Sequence, residues 1–323
     1  MATNPAKNFS GTAFGNKAEG FDQPIQLPRD EAERQKWQSA NKAWWESTPM
    51  RYDWREEIKD EPGTAPYFKE VDARFLASVR KYMPWRELPF DALVPFRTLA
   101  DKDVLEIGTG QGTHAQLIAP HCKSFTGIDL TSAASQMAAQ RLALFGIPGR
   151  VLQMDAERME FPDASIDYIW SWGVIHHSAD TRRVLEQMHR VLRPGGRATV
   201  MVYHRSWWHY YFGGSLRGTF KKEFRDRGTF HRIAQGATDG AIARYYTPNE
   251  WRETVKGLFD VESIRIYGLK TELLPMPPGG LKSALERLIP NGLARLLTNQ
   301  VRLGTFLVAD MRKAPGGEAS RAP

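Results

Sequence analysis

The 323-residue chain contains one cysteine, Cys122. That excludes an internal disulfide framework, a thiolate zinc cluster and any chemistry needing two or three convergent thiols, and it suits a reducing compartment. Long apolar runs are missing as well. No stretch of eighteen apolar residues occurs, and Met1 to Gly20 is polar, rich in Asn, Gly, Ala and Ser, with no apolar core of seven or more. Neither a cleaved secretory signal nor a membrane span is expected, so the chain reads as cytoplasmic, with membrane contact limited to surface association. Internal repeats are absent, and low complexity is confined to the two ends.

What is present is an ordinary globular composition, 41% hydrophobic and 25% charged, in a chain long enough for one large α/β domain with additions. The formal charge of +7 is unevenly placed. His204 to Arg232 holds seven Lys/Arg against two acids, a local +5, whereas Met1 to Pro66 is net −2. A basic patch beside a site bears on partners more directly than a bulk charge does.

Residues 1–66 read as a tail (Met1 to Asp30) and a Trp-rich helical cap around Glu31 to Trp45. Residues 67–313 read as the main domain and 314–323 as a second tail. Tyr67 to Met83 carries Phe68, Val71, Phe75, Leu76, Val79 and Met83 at the spacing of a helix with one buried face, stopped by Pro84. Strands are then expected at Asp103 to Ile107, Ser124 to Asp129, Arg150 to Met154, Ile166 to Trp172, Arg197 to Tyr203, Phe259 to Tyr267 and Leu303 to Met311. Helices fall between them at His114 to Ile118, Ser132 to Phe145, Arg182 to Leu192, Asn249 to Gly257 and, interrupted, Leu281 to Leu297. This alternation predicts an α/β fold, a doubly wound, mostly parallel seven-stranded sheet whose ligand lies at the carboxyl ends of the strands. Alternation lapses over 204–246, an insertion after strand five placed where a lid would sit.

The first strand ends in Glu106-Ile107-Gly108-Thr109-Gly110-Gln111-Gly112, an acid followed by three glycines at alternating positions. Glycines there allow a sharp strand-to-helix turn and close approach of a ligand. Strand two ends in Asp129, twenty-three positions on, where a carboxylate can accept from both hydroxyls of a ribose. Strand three ends in Asp155-Ala156-Glu157. Each acid also has a plain structural explanation: Glu106 as a helix cap, Asp129 as an Asx turn, Asp155 as a helix start.

Together with Trp170-Ser171-Trp172-Gly173-Val174-Ile175-His176-His177 after strand four and Leu192-Arg193-Pro194-Gly195-Gly196 before strand five, these motifs resemble the class I S-adenosylmethionine-dependent methyltransferases, in particular the ubiquinone/menaquinone-type group. The resemblance implies a Rossmann-like methyltransferase fold that binds S-adenosyl-L-methionine. It implies that Glu106, Gly108, Gly110 and Gly112 hold the methionine part of the cofactor, Asp129 the ribose, and Asp155, with Ala156 beside it, the adenine, and that Thr109, Leu130 and Trp172 belong to the same cofactor-binding set. His176 and His177 suggest a general base or a metal at first sight. The resemblance assigns such a pair to the pocket floor, and no third ligand lies at a metal-binding spacing.

Tyr203, His204, Arg205 and Tyr210 follow strand five, and Arg244 and Tyr246 return the chain to the sheet. His176, Tyr203 and His204 are the catalytic candidates, and Arg205, Tyr210, Arg244 and Tyr246 the substrate-binding ones. Basic residues interleaved with aromatic ones predict a small-molecule acceptor, anionic or aromatic, under an aromatic lid formed by 204–246 and Trp37 to Trp54. A nucleic-acid or protein methyltransferase is the alternative; a nucleic-acid acceptor is disfavoured, since no Asn/Asp-Pro-Pro-Tyr/Phe segment follows strand four and no RNA-binding module is appended. A non-catalytic cofactor-binding protein is the third alternative. Oxygen, nitrogen, carbon and sulfur acceptors, and the oligomeric state, stay open.

Overall fold

The computed structural model describes residues 17–52, 57–220, 222–276 and 279–314. Its centre is a sheet of eight strands: β1 (Asp103–Ile107), β2 (Ser124–Asp129), β3 (Arg150–Gln153), β4 (Ile166–Trp172), β5 (Leu192–His204), β6 (Tyr245–Tyr246), β7 (Phe259–Tyr267) and β8 (Phe306–Lys313). Seven of them run in the order β3-β2-β1-β4-β5-β8-β7, and the two-residue β6 pairs with β5. β1 to β5 are mutually parallel, and β8 lies antiparallel between β5 and β7. Order reverses at β1/β4, so the crevice above their carboxyl ends is the switch point where a ligand is expected.

Helices α1 (Glu31–Ser47) and α2 (Ala65–Tyr82) precede the sheet. α3 (Thr113–Ile118), α4 (Ser132–Leu144) and α5 (Thr181–Val191) alternate with its strands. The insertion holds a wide turn, Trp207–Phe212, then α6 (Gly213–Phe220), α7 (Glu223–Arg227) and α8 (Phe230–Gln235). α9 (Pro248–Val255), α10 (Gly280–Leu288) and α11 (Asn291–Arg295) complete the chain.

α1 starts where the Asp30 side chain accepts from the Glu33 amide, and its apolar stripe buries Trp37 and Trp44. α2 is capped by Thr64 and buries Tyr67, Phe68, Val71, Phe75 and Val79, the face that the spacing predicts. One core packs Ile169, Leu185, Met188, Val200, Trp251 and Leu307 on one side of the sheet. A second packs Phe75, Phe90, Trp170, Val308 and the foot of α2 on the other.

Three expectations need correction. The expected tail Met1 to Asp30 is packed from Lys17 onward: Phe21 wedges against Trp37 and His231, and Pro24 accepts from the Tyr245 amide at 3.0 Å. Residues 1–16, like 315–323 and Trp54, lie outside the described residues. The last strand begins at Phe306 rather than Leu303, because the Leu303 and Gly304 amides donate to the Leu297 and Thr298 carbonyls at 3.2 and 3.0 Å instead of to a neighbouring strand. The insertion, where no regular pattern is expected, folds into three short helices.

Candidate active site

The turn after β1 lies at the switch point. Gly108 has φ +80°, and a Cβ there would lie 2.2 Å from Val174, so only glycine fits between the two strand ends. A Cβ on Gly110 would meet nothing within 4 Å, so its backbone faces open space. Arg141 of α4 holds the turn from behind: fully buried, it donates to the Gln111 carbonyl at 3.2 Å and the Thr113 hydroxyl at 3.1 Å, and it pairs with Asp72.

Around this turn, four buried polar atoms have no protein partner: Glu106 Oε2, Thr109 Oγ1, Gln111 Oε1 and His114 Nδ1. Buried polar groups are ordinarily paired, so a cluster of orphans is a feature of a ligand site. Burial, reinforced by Asp129, pushes the Glu106 carboxyl well above its usual range. A cationic ligand group would reverse that shift. Asp129, whose carboxyl is likewise raised by burial, accepts from the Thr131 amide and hydroxyl on one oxygen and from the Gly110 amide at 3.1 Å on the other. Each oxygen keeps acceptor capacity for a ligand hydroxyl.

α1 closes the far end of the crevice. Gln38 donates to Asp155 at 2.9 Å and accepts from the Ala179 amide at 3.0 Å. Arg34 pairs with Glu157 at 2.6 Å, the two side chains being 5% and 0% exposed. Glu46, at the end of α1, accepts from the Ser132 and Ala133 amides, both at 3.0 Å, at the start of α4.

Thr109, Gln111, His114, Asp129, Asp155, Gln38 and Glu46 border one cavity of about 670 Å³, walled by the strand ends, by Trp45 and residues 49–52, and by the insertion. Of the expected cofactor residues, Gly108, Thr109, Gly110, Asp129, Leu130, Asp155, Ala156 and Trp172 line it. Glu106 lies within the sheet below the turn, and Gly112 caps α3.

The catalytic candidates separate. Tyr203 lines the cavity and donates to Asp239 at 2.8 Å. His204 instead turns its Nδ1 to the Gly304 carbonyl at 2.7 Å. His176 is wholly buried between His177 and Tyr203, with ring centroids 4.1 Å away on each side, and neither of its nitrogens has a partner. It does not border the cavity. His177 does. Its Nδ1 lies 2.6 Å from the Ile242 carbonyl, which can only accept, so Nδ1 carries the proton and Nε2 the lone pair. Burial lowers the affinity of His177 for a second proton.

None of the four substrate-binding candidates borders the cavity. Arg205 is taken up by Glu250, the residue that closes the capping box of α9. Arg244, wholly buried, donates to the Gln26 carbonyl at 2.8 Å and the Ala179 carbonyl at 2.6 Å, stapling the arm before α1 to the start of α5. Tyr210 bonds His231 Nδ1 at 3.1 Å, and Tyr246 packs edge-on against Trp251. Side chains adjacent to a strand end in sequence are thus drawn to other partners. Sequence reasoning misses Gln38, Tyr52, His209, Asp239, Tyr245 and Glu272 of the wall. They come from five separate segments with no motif in common.

Among the described residues no group of three or more His, Cys, Asp or Glu is placed to share a metal ion. No described helix is long and apolar enough to cross a membrane.

Residues 105–200 match the family model described as a methyltransferase domain. The chain is 35% identical over 111 residues to 27-O-demethylrifamycin SV methyltransferase of Amycolatopsis mediterranei, covering 33% of this chain and 40% of that protein. It is 32% identical over 121 residues to the ubiquinone/menaquinone biosynthesis C-methyltransferase UbiE of Geotalea daltonii, covering 34% and 52%. The chain therefore spans about half the length, or less, of these relatives. A solved S-adenosylmethionine-dependent methyltransferase of Methanosarcina mazei overlays with a TM-score of 0.47 at 20% identity, over 68% of this chain and 98% of that one.

Proposed function

We propose that this chain, which carries a class I S-adenosylmethionine-dependent methyltransferase domain over residues 105–200, transfers a methyl group to a small-molecule acceptor bound beneath the insertion. The observation that carries the proposal is the cluster of partnerless polar atoms on Glu106, Thr109, Gln111 and His114 around the Gly108 turn, the last three of these residues bordering the same cavity as Asp129 and Asp155. An ammonium and a carboxylate suit the first group, a ribose suits Asp129, and an adenine amino group suits Asp155. The cofactor supplies a methyl group on a positively charged sulfur, open to attack by a lone pair.

The chain's own contribution is alignment, exclusion of water and proton removal. The wall beyond the cofactor residues is rich in aromatic side chains: Tyr52, Phe75, Tyr82, Tyr203, Tyr245 and Phe306. Arg51 is the one lysine or arginine on it among the described residues, so this wall favours the aromatic half of the expected acceptor and offers the anionic half a single cation. His177 Nε2 is the base that takes the acceptor's proton, its tautomer held by Ile242. Asp239 orients Tyr203 beside it.

Calorimetry tests the cofactor reading. S-adenosylmethionine and S-adenosylhomocysteine should both bind, and Asp129→Ala should weaken them by about tenfold to a hundredfold, the loss of charge-assisted hydrogen bonds of roughly 1.5–3 kcal/mol. No binding to the wild-type chain would end the proposal. His177→Gln should bind S-adenosylhomocysteine normally yet release it from S-adenosylmethionine plus acceptor about 10²–10⁴ times more slowly. Turnover at the wild-type rate would remove His177 from the mechanism. Turnover of no acceptor by the wild type would favour the non-catalytic alternative.

A further inference from the structure

Two surface segments share a chemistry that the methyl-transfer site does not use. Of the twelve large hydrophobic residues exposed among the described residues, nine fall in 207–220 or 281–301. Trp207 is 58% exposed, Phe220 81%, Leu281 65% and Leu288 78%. Helix α10 has no buried residue along its nine positions, although its leucines would ordinarily fill a core. The segments meet: Trp208 packs with Ile289 and Leu297 against Leu273, Ala294 and Leu303, and stacks on Phe212 at 4.6 Å. Residues 205–227 hold six lysines and arginines against two acids, and residues 270–302 hold five against two. That local +7 equals the formal charge of the whole chain. Arg205 and Arg227 are engaged by Glu250 and Glu223, while Lys222, Arg225, Arg287 and Arg302 are exposed.

We infer that this face is the surface by which the protein docks on an anionic lipid bilayer, lying in the interface without crossing it. Isolated exposed leucines mean little, but a contiguous apolar face rimmed by one sign of charge marks an interaction site. Aliphatic side chains gain by entering the acyl boundary, and the basic rim gains from acidic headgroups. Nucleic acid would satisfy the charge and leave Leu281, Leu288, Leu293, Leu296 and Val301 in water, since bases stack on aromatic rings and not on leucines. A second copy of the same face would bring +7 against +7. The segments also supply His209 and Glu272 to the cavity wall, so docking would bring the acceptor end of the cavity to the lipid surface. That last step rests on the methyl-transfer reading. The docking does not.

The test uses the full chain and flotation with two kinds of vesicle, pure phosphatidylcholine and phosphatidylcholine with about a third phosphatidylglycerol. Binding to the anionic vesicles alone, weakening with salt, is expected. Leu281→Glu/Leu288→Glu should reduce it at least tenfold, and Arg287→Glu/Arg302→Glu should do the same. Neither pair touches the cofactor residues, so unchanged S-adenosylhomocysteine affinity and melting temperature show that the variants are folded. Absence of anionic-vesicle binding by the wild type overturns the proposal, as does full binding by the Leu281/Leu288 variant. Preference for RNA over the vesicles, or a dimer in solution that dissociates in that variant, overturns it in favour of another partner. Failure to bind S-adenosylhomocysteine with vesicle binding intact would strike the methyl-transfer reading alone.

Discussion

At the scale of single residues, Glu106 carries a cost to the fold that the proposed cofactor would relieve. It occupies the middle of the sheet, 1% exposed, with one carboxylate oxygen unpartnered. Burial raises its pKa above that of the unfolded chain, about 4.3. Its contribution to stability is complete below that unfolded value and is lost as pH rises through the folded one, because the unfolded chain then ionises more readily. Glu106→Gln removes this titration. Without ligand, the variant should melt above wild type at pH 8, the difference shrinking toward pH 5. S-adenosylhomocysteine should raise the wild-type melting temperature more than the variant's. A variant that melts lower at pH 8 would show that Glu106 is held by something other than the missing ligand. The same scale explains the misplaced substrate candidates. Arg244 and Arg205 adjoin strand ends in sequence, but a buried guanidinium must find acceptors. Three carbonyls supply them for Arg244 and Glu250 for Arg205, all away from the cavity.

At the scale of elements, α1 is more than a cap. Its apolar stripe would let it lie anywhere on the domain, and Arg34 and Gln38 choose the place by reaching Glu157 and Asp155. The Arg34–Glu157 pair is nearly without solvent, so removing one partner leaves a charge that burial penalises. Arg34→Met should cost about 3–5 kcal/mol in urea denaturation, and Arg34→Met/Glu157→Leu should recover much of it. A single variant within about 1 kcal/mol of wild type would mean that the pair is better solvated than its geometry indicates. The strands β1, β2, β4 and β7 run where periodicity and flanking turns place them: the first three are short runs rich in buried apolar residues, and β7 interleaves Phe259, Val261, Ile264 and Ile266 with polar residues. α10 and α11 are separate because Pro290 breaks the predicted helix. The insertion was unreadable as elements: its helices are five to eight residues long, too short for a period to declare itself, and are held by aromatic contacts such as Tyr211 on Phe230.

For the whole molecule, α1 with the segment after it, the insertion and the strand ends enclose one space, and the arm before α1 braces the insertion. Lys17 donates to the Thr238 and Gly240 carbonyls at 2.6 Å each, and the Ala18 amide bonds Ala241 at 3.0 Å, so the first described residues tie down the insertion loop that carries Asp239. The sequence by itself determined the α/β alternation, the mostly parallel sheet and the positions of the glycine turn, Asp129 and Asp155 at successive strand ends. Those depend on local propensity and on groups clustered within a few residues of consecutive strand ends, where the chirality of parallel crossovers leaves little freedom. Tertiary structure alone decided the end of the cavity nearest the insertion. Which of His176 and His177 faces the cavity follows from a short 3₁₀ turn and from the Ile242 carbonyl sixty-five residues away. Whether a basic or aromatic residue meets the acceptor, the solvent or another wall depends on how segments far apart in the chain pack, and competition among buried hydrogen-bond partners is a property of the fold that no local pattern encodes.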